Sequence, residues 1–142
     1  MTNASDEARR VLSRYFGYPS FRPAQEPVVA SLLAGRDTVA VMPTGAGKSI
    51  CFQVPALLLN GVTVVISPLI SLMKDQVDAL LGQGIPATFI NSSLEPAEAD
   101  RRIDGLIRGE SRLVYVAPER LENGWFQSQL NHIPIAMVAV DE

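Results

Sequence analysis

The sequence predicts an α/β domain built on a parallel sheet covered by helices on both faces. Three observations predict it. From residue 37 onward, short apolar β-rich runs alternate with longer helix-forming runs. The runs "VTVVIS" and "RLVYVA" are almost wholly apolar, as strands buried on both faces are, instead of alternating like half-exposed strands. The polar groups "PTGAGKS", "SPL", "NSS", "APER" and "DE" directly follow strand-like runs, at the carboxyl edge where such sheets bind ligands.

The elements follow in order. "SDEARRVLSRYFG" predicts a helix capped by Ser5, with acids in its first turn and Gly17 as its stop. "RPAQEPVVASLLAG" predicts a second helix opened by Pro23 and closed by Gly35, with Pro27 compatible only in the first turn. "DTVAVM" reads as a strand, "KSICFQVPALLL" as a helix, "VTVVIS" as a strand and "LISLMKDQVDALL" as a helix. "ATFINS" then reads as a strand, "EPAEADRRIDGLIRG" as a helix and "RLVYVA" as a strand. A short turn or helix follows around "PERLENG", and "IAMVAVDE" closes the chain as an apolar, buried strand. With no repeat and no Gly/Ser linker, one folding unit is the simplest organisation.

Composition narrows the function classes. At 142 residues, 47% apolar and 19% charged, the chain suffices for one domain with a hydrophobic core. No apolar stretch approaches the roughly 20 residues of a membrane span, and "MTNASDEARR" has no signal-peptide core, so no membrane partner is expected. The expected location is cytoplasmic. The single cysteine, Cys51, leaves neither an internal disulfide nor a zinc cluster and reads as a small buried residue. A net charge of −3 with only two lysines, Lys48 and Lys74, argues against binding nucleic acid by positive charge alone, so any such contact must be local.

The run "MPTGAGKS" follows a strand-like run and opens a helix-like one, the context of a phosphate-binding loop. Gly45 and Gly47 let backbone amides curl around an anion, and the helix N-terminus adds partial positive charge. Lys48 can then reach the β- and γ-phosphates, and Ser49 can offer its hydroxyl to Mg²⁺. Met42 stands where the general motif has glycine and reads as the end of the strand. An apolar strand ending in acids is the expected partner of such a loop. Asp141 would hold Mg²⁺, and Glu142 would orient and deprotonate an attacking water. No "NKxD"-type guanine motif occurs.

With these motifs in place, the sequence resembles the first motor domain of RecQ-family DNA helicases of superfamily 2, over nearly its whole length. The resemblance implies a RecA-like P-loop NTPase fold and an incomplete first motor domain over residues 1–142, truncated at its C-terminal end. Within it, 1–35 would form a helical adenine-recognition region and 36–142 the P-loop core. "YFGYPSFRPAQEPVV" resembles the family's adenine motif: Tyr18 would stack on the base, Gln25 would read its edge and Arg22 would assist. A carboxamide suits adenine because it donates and accepts at once. Thr44, Gly45, Ala46, Gly47, Lys48 and Ser49 would cradle the phosphates of ATP, with Mg²⁺ between Ser49 and Asp141. "SPLISLMKDQV", "NSS" and "YVAPERL" resemble DNA-contacting motifs, which brings in Ser67, Pro68, Asn91, Pro118, Glu119 and Arg120. Ser67, Ser71 and Asn91 are plausible helix caps in their own right, and that choice stays open.

RNA-dependent DEAD-box helicases carry "PTRELA"-like and "TPGR" motifs where this chain has "SPLISL" and "APER". The resemblance implies ATP-driven 3′ to 5′ unwinding of DNA at a junction of single strand and duplex, in recombination or repair. A second motor domain in cis would supply the arginine finger. Absent from the chain are that finger and the aromatic-rich loop that follows the Asp-Glu pair in the family. The expectation is therefore a chain cut through its motor, unable to unwind alone. The alternative is a non-catalytic fragment that binds a nucleotide or a partner.

Overall fold

The computed structural model describes residues 3–43 and 45–141, and Thr44 and Glu142 lie outside the described residues. The chain divides into two compact units, the first running to Asn60 and the second starting at Gly61, a division inside what the sequence reads as one folding unit.

The first unit holds α1 (Ala4–Val11), α2 (Glu26–Leu33) and α3 (Lys48–Leu58). Asn3, not the expected Ser5, caps α1, its Oδ1 accepting from the Asp6 N–H at 2.8 Å. Asn and Ser cap equally well, so the sequence does not separate them, and starting at Asn3 still leaves Asp6 and Glu7 near the positive end of the helix dipole. The helix continues through a π-helical turn, Leu12–Phe16, and stops at Gly17, which takes the left-handed φ of 76° that the end requires. The start of α2 is at Glu26 instead of Pro23. Pro23 lies in a turn where the Gln25 and Glu26 N–H groups both donate to the Arg22 carbonyl, leaving Pro27 in the first helical turn where a missing N–H costs nothing. Ala8, Leu12, Val29 and Val54 bury together, with Phe16, Phe21 and Leu33 packed against them.

"DTVAVM" is not a strand. Residues 36–43 carry no regular structure, and Val39 and Val41 are 93% and 94% exposed. A strand exists only by pairing, and among its described residues the first unit contains no second strand to pair with.

The second unit contains β1 (Val62–Ile66), α4 (Ile70–Gly82), β2 (Ala87–Ile90), α5 (Pro96–Ile107), β3 (Leu113–Val116), a 3₁₀ turn (Pro118–Glu122), α6 (Gly124–Leu130) and β4 (Ile135–Val140). Its sheet is wholly parallel, in the order β2-β3-β1-β4, with Val64 opposite Val114 on one side and Val138 on the other. The near-continuous apolar runs became the two inner strands: every residue of β3 is buried, and so is β1 up to Val65. Ala99, Ile103 and Leu106 recur at helical spacing along α5 and pack with Val64, Ile90, Val114, Val116 and Phe126. Each large side chain buried this way contributes about 1.5–3 kcal/mol.

The last strand departs from expectation. An apolar run usually signals an inner strand, yet β4 lies at the sheet edge, paired only with β1 among the described residues, and Val138 and Val140 are 54% and 72% exposed. The run is apolar because of its composition; its burial depends on neighbours that the described sheet does not supply on that side. The short α6 follows the "PERLENG" turn in a stretch to which the sequence reading assigns no element. It forms because Asn123 accepts from the Phe126 N–H at 2.9 Å and Phe126 buries completely. Because all four strands are parallel, the segments leaving their carboxyl ends emerge at one edge of the sheet. Among the described residues no helix is long and apolar enough to cross a membrane.

Candidate functional site

In the first unit the site is a loop of backbone amides. Gly45 and Gly47 take left-handed φ angles of 84° and 77°, which residues bearing a Cβ adopt only at a cost. Gly47 is also the N-cap of α3 and gives no side-chain cap, so the leading amides of this 11-residue helix are not satisfied by a capping side chain. Uncapped amides, the positive end of the helix dipole and Lys48 at the first helical position together fit a phosphate. Ser49, at the second position, is half-buried. Cys51 lies one turn further along and is buried, as expected of a small apolar residue; burial pushes its thiol pKa up, which keeps it neutral and unreactive.

Two residues of the expected adenine motif bond directly to this loop. Arg22 donates from a guanidinium nitrogen to the Gly45 carbonyl at 2.7 Å. Gln25 donates from Nε2 to the Gly47 carbonyl at 3.0 Å, while its Oε1 accepts from the Arg22 N–H at 2.9 Å. Gln25 is only 3% exposed, so both ends of its carboxamide are satisfied inside the unit. Gly47 is confined from this side too: a Cβ there would collide with the Gln25 amide. Tyr18 stands apart with half its surface exposed, open to a stacking partner. Sequence reasoning brought Arg22 and Gln25 into the site but missed their bonds to the loop. The partners lie more than twenty residues apart, and no local pattern encodes such a pairing.

In the second unit, the turns after β1, β2 and β3 carry the other candidates to one sheet edge. Ser67 and Asn91 are buried and locally committed. Ser67 Oγ accepts from the Leu69 N–H at 3.2 Å, and Asn91 Oδ1 accepts from the Ser93 N–H at 2.9 Å. Both are side-chain-closed turns rather than helix caps: the N-cap of α4 is Leu69, which makes no side-chain cap bond. Pro68, Pro118 and Glu119 are exposed and Arg120 is half-buried. Asp141 follows β4, its N–H donating to the Ile66 carbonyl at 2.8 Å, which holds its backbone beside the end of β1. Lys74 pairs with Asp78 at 2.6 Å on an exposed helix face, and that hydrogen bond raises its pKa. No group of three or more His, Cys, Asp or Glu side chains able to hold a metal occurs among the described residues. Of the residues expected to bind the nucleotide, the loop belongs to the first unit and Asp141 to the second.

The sequence profile of the DEAD/DEAH box helicases matches residues 22–142. Among curated proteins, the ATP-dependent DNA helicase RecQ of Bacillus subtilis (strain 168) is 48% identical over 136 residues, covering 95% of this chain and 23% of that protein. RecQ of Pasteurella multocida (strain Pm70) is 48% identical over 132 residues, 93% of this chain and 21% of that protein. The ATP-dependent DNA helicase Q5 of Mus musculus is 41% identical over 148 residues, 96% of this chain and 15% of that protein. The chain thus spans less than a quarter of the length of these relatives. With a profile that runs from Arg22 through the phosphate loop to the acids after β4, the chain belongs to the DEAD/DEAH box helicase family.

Proposed function

We propose that this chain forms the nucleotide-binding part of an ATP-dependent DNA helicase, within the first of two RecA-like motor domains in cis. The observation that carries the proposal is the loop before α3. Two left-handed glycines open it, the helix behind it has no side-chain cap, and Arg22 and Gln25 brace its carbonyls. Similarity to proteins named as ATP-dependent DNA helicases supports ATP as the nucleotide and DNA as the track.

In this reading the amides of residues 44–47 bind the phosphates of ATP and Lys48 neutralises charge that develops as the terminal phosphoryl group transfers. The Ser49 hydroxyl and the Asp141 carboxylate are the oxygen donors that would hold Mg²⁺, which would supply positive charge against the phosphates. Glu142 orients the attacking water and takes its proton. Tyr18 stacks on adenine. Gln25 reads the base edge with the Nε2 hydrogen and the Oε1 lone pair that its bonds to Gly47 and Arg22 leave over. The exposed Pro118 and Glu119 and the half-buried Arg120 contact the DNA backbone together with Pro68, and Ser67 and Asn91 shape the turns that present them. Opening and closing of two motor domains would convert turnover into 3′ to 5′ movement on DNA during recombination or repair. Its place of action is wherever the DNA is, the bacterial nucleoid or the nucleus.

Steady-state phosphate release by the protein that carries this chain tests the reading. Turnover of ATP is expected to rise on adding single-stranded DNA and to exceed turnover of GTP. Gln25→Ala is expected to lose about tenfold in preference for ATP, the value of one or two lost hydrogen bonds to a base. Turnover indifferent to DNA would sink the helicase reading, and an unchanged ATP preference in Gln25→Ala would remove Gln25 from base recognition.

A further inference from the structure

At the carboxyl edge of the second unit's sheet, a cavity of about 430 Å³ opens between the turn after β2 and the 3₁₀ turn after β3. Its walls include Ser92, Leu94, Pro96, Asp100, Arg120 and Trp125. The volume lies at the lower end of the roughly 300–1,000 Å³ typical of small-molecule sites, which is room for one nucleotide. We propose that this cavity holds one nucleotide of single-stranded DNA, with its base stacked on Trp125 and its phosphate on Arg120. The proposal rests on the DNA reading above and adds to it a stacking residue that the motifs do not contain.

Trp125 is 41% exposed, whereas the next residue, Phe126, is fully buried and anchors α6. The helix is therefore pinned while the indole is offered outward. Its backbone is fixed on both sides: Asn123 caps the Phe126 N–H, and the Ser128 hydroxyl donates to the Trp125 carbonyl at 2.7 Å. A large apolar ring held this way loses little freedom on binding, which suits a base-stacking platform. Arg120 makes no ion pair among the described residues, and its Nε–H is buried without an acceptor. A guanidinium with no protein anion satisfying it suits a phosphate. Asp100 is the acidic group of the wall and repels a phosphate, so the phosphate takes the Arg120 side. With the phosphate on the Arg120 side, the base would lie nearer Asp100, a carboxylate able to accept from the exocyclic amine of cytosine. Leu94 and Pro96 supply apolar wall against the sugar and base. A basic head, an aromatic face and short polar groups in one recess give local grip on a chain whose net charge is −3.

Trp125 is the only tryptophan among these 142 residues, and the difference in emission between the protein and its Trp125→Phe variant isolates the signal of this cavity. The probe is a short single-stranded oligo(dC), with binding followed independently by anisotropy of a labelled copy. Binding is expected to quench Trp125 emission. Trp125→Ala is expected to weaken binding about 5- to 150-fold and Trp125→Phe to retain most of the affinity. The dependence of log affinity on log salt should be unchanged in Trp125→Ala and shallower by about 0.7 in Arg120→Ala, one phosphate contact fewer. Oligonucleotide that binds without changing Trp125 emission, and equally well to Trp125→Ala, overturns the stacking site and leaves the DNA reading standing. Failure of the oligonucleotide to bind at all overturns both.

Discussion

Replacing Lys48 with alanine is expected to lower ATP turnover by about 10²- to 10³-fold, the usual loss when one charge-stabilising donor leaves a transferring group. DNA binding should be untouched, because no candidate DNA contact belongs to the first unit. The reason lies in where the lysine stands. The glycines at 45 and 47 fix the loop and make Lys48 the first residue of α3, so the amides that bind phosphate and the ammonium that neutralises it are set by the same turn. Alanine keeps the helix and the glycines and removes the ammonium group. Lys48→Arg retains charge but not the compact, single-point geometry of an ammonium, and turnover should stay low there too. Phosphate release measured beside DNA affinity checks both halves. Loss of DNA binding together with turnover would point to misfolding, and unimpaired turnover would remove Lys48 from the chemistry.

The second large effect concerns stability and sits at Gly61, the residue that opens the second unit. Its φ is 133°, a region L side chains rarely adopt, and a Cβ there would stand 2.6 Å from the Pro134 carbonyl oxygen and 3.1 Å from the Ala136 Cβ. Neither neighbour can swing away. Pro134 is held by the Val62 N–H, which donates to its carbonyl at 2.7 Å, and Ala136 is part of β4. Gly61→Ala should therefore force β1 and β4 apart at their starting ends, at a cost of about 2–4 kcal/mol. Gly84 is the control. Its φ is 83°, but nothing lies within 4 Å of a Cβ built there, so Gly84→Ala should cost only the left-handed backbone penalty of about 1–2 kcal/mol. Urea unfolding of the two variants separates the cases. Equal losses would mean that close approach of the backbones at Gly61 does not matter.

What could be read in advance divides along physical lines. β1 and β3 were legible because strands buried on both faces must be apolar throughout, and composition alone records that. The phosphate loop was legible because its glycines answer a local demand for positive φ, which short-range sequence encodes. The strand at "DTVAVM" and the burial of β4 were misread for a shared reason, although β4 is a strand as expected. Both runs are apolar enough for inner strands, but pairing and burial depend on partners remote in sequence, and Val39, Val41, Val138 and Val140 stand exposed without them. The cap of α1 moved from Ser5 to Asn3 because two residues of equal capping strength lay two positions apart. Gln25 shows a different limit. Its residue type suits adenine, yet the hydrogen bonds it makes here, to Arg22 and Gly47, appear only once the turn before α2 is folded against the loop. Ser67 and Asn91 were ambiguous between cap and ligand, and the structure gives each a third part, closing the turn that leads into the next helix.

Strand displacement tests the central claim most directly. A DNA duplex bearing a 3′ single-stranded tail is mixed with the protein that carries this chain, with ATP and Mg²⁺, beside the same duplex bearing a 5′ tail and beside the Lys48→Ala variant. The account predicts release of the displaced strand from the 3′-tailed duplex alone, dependent on ATP and lost in Lys48→Ala. Hydrolysis of ATP without release of any strand, or release that continues in Lys48→Ala, would contradict it.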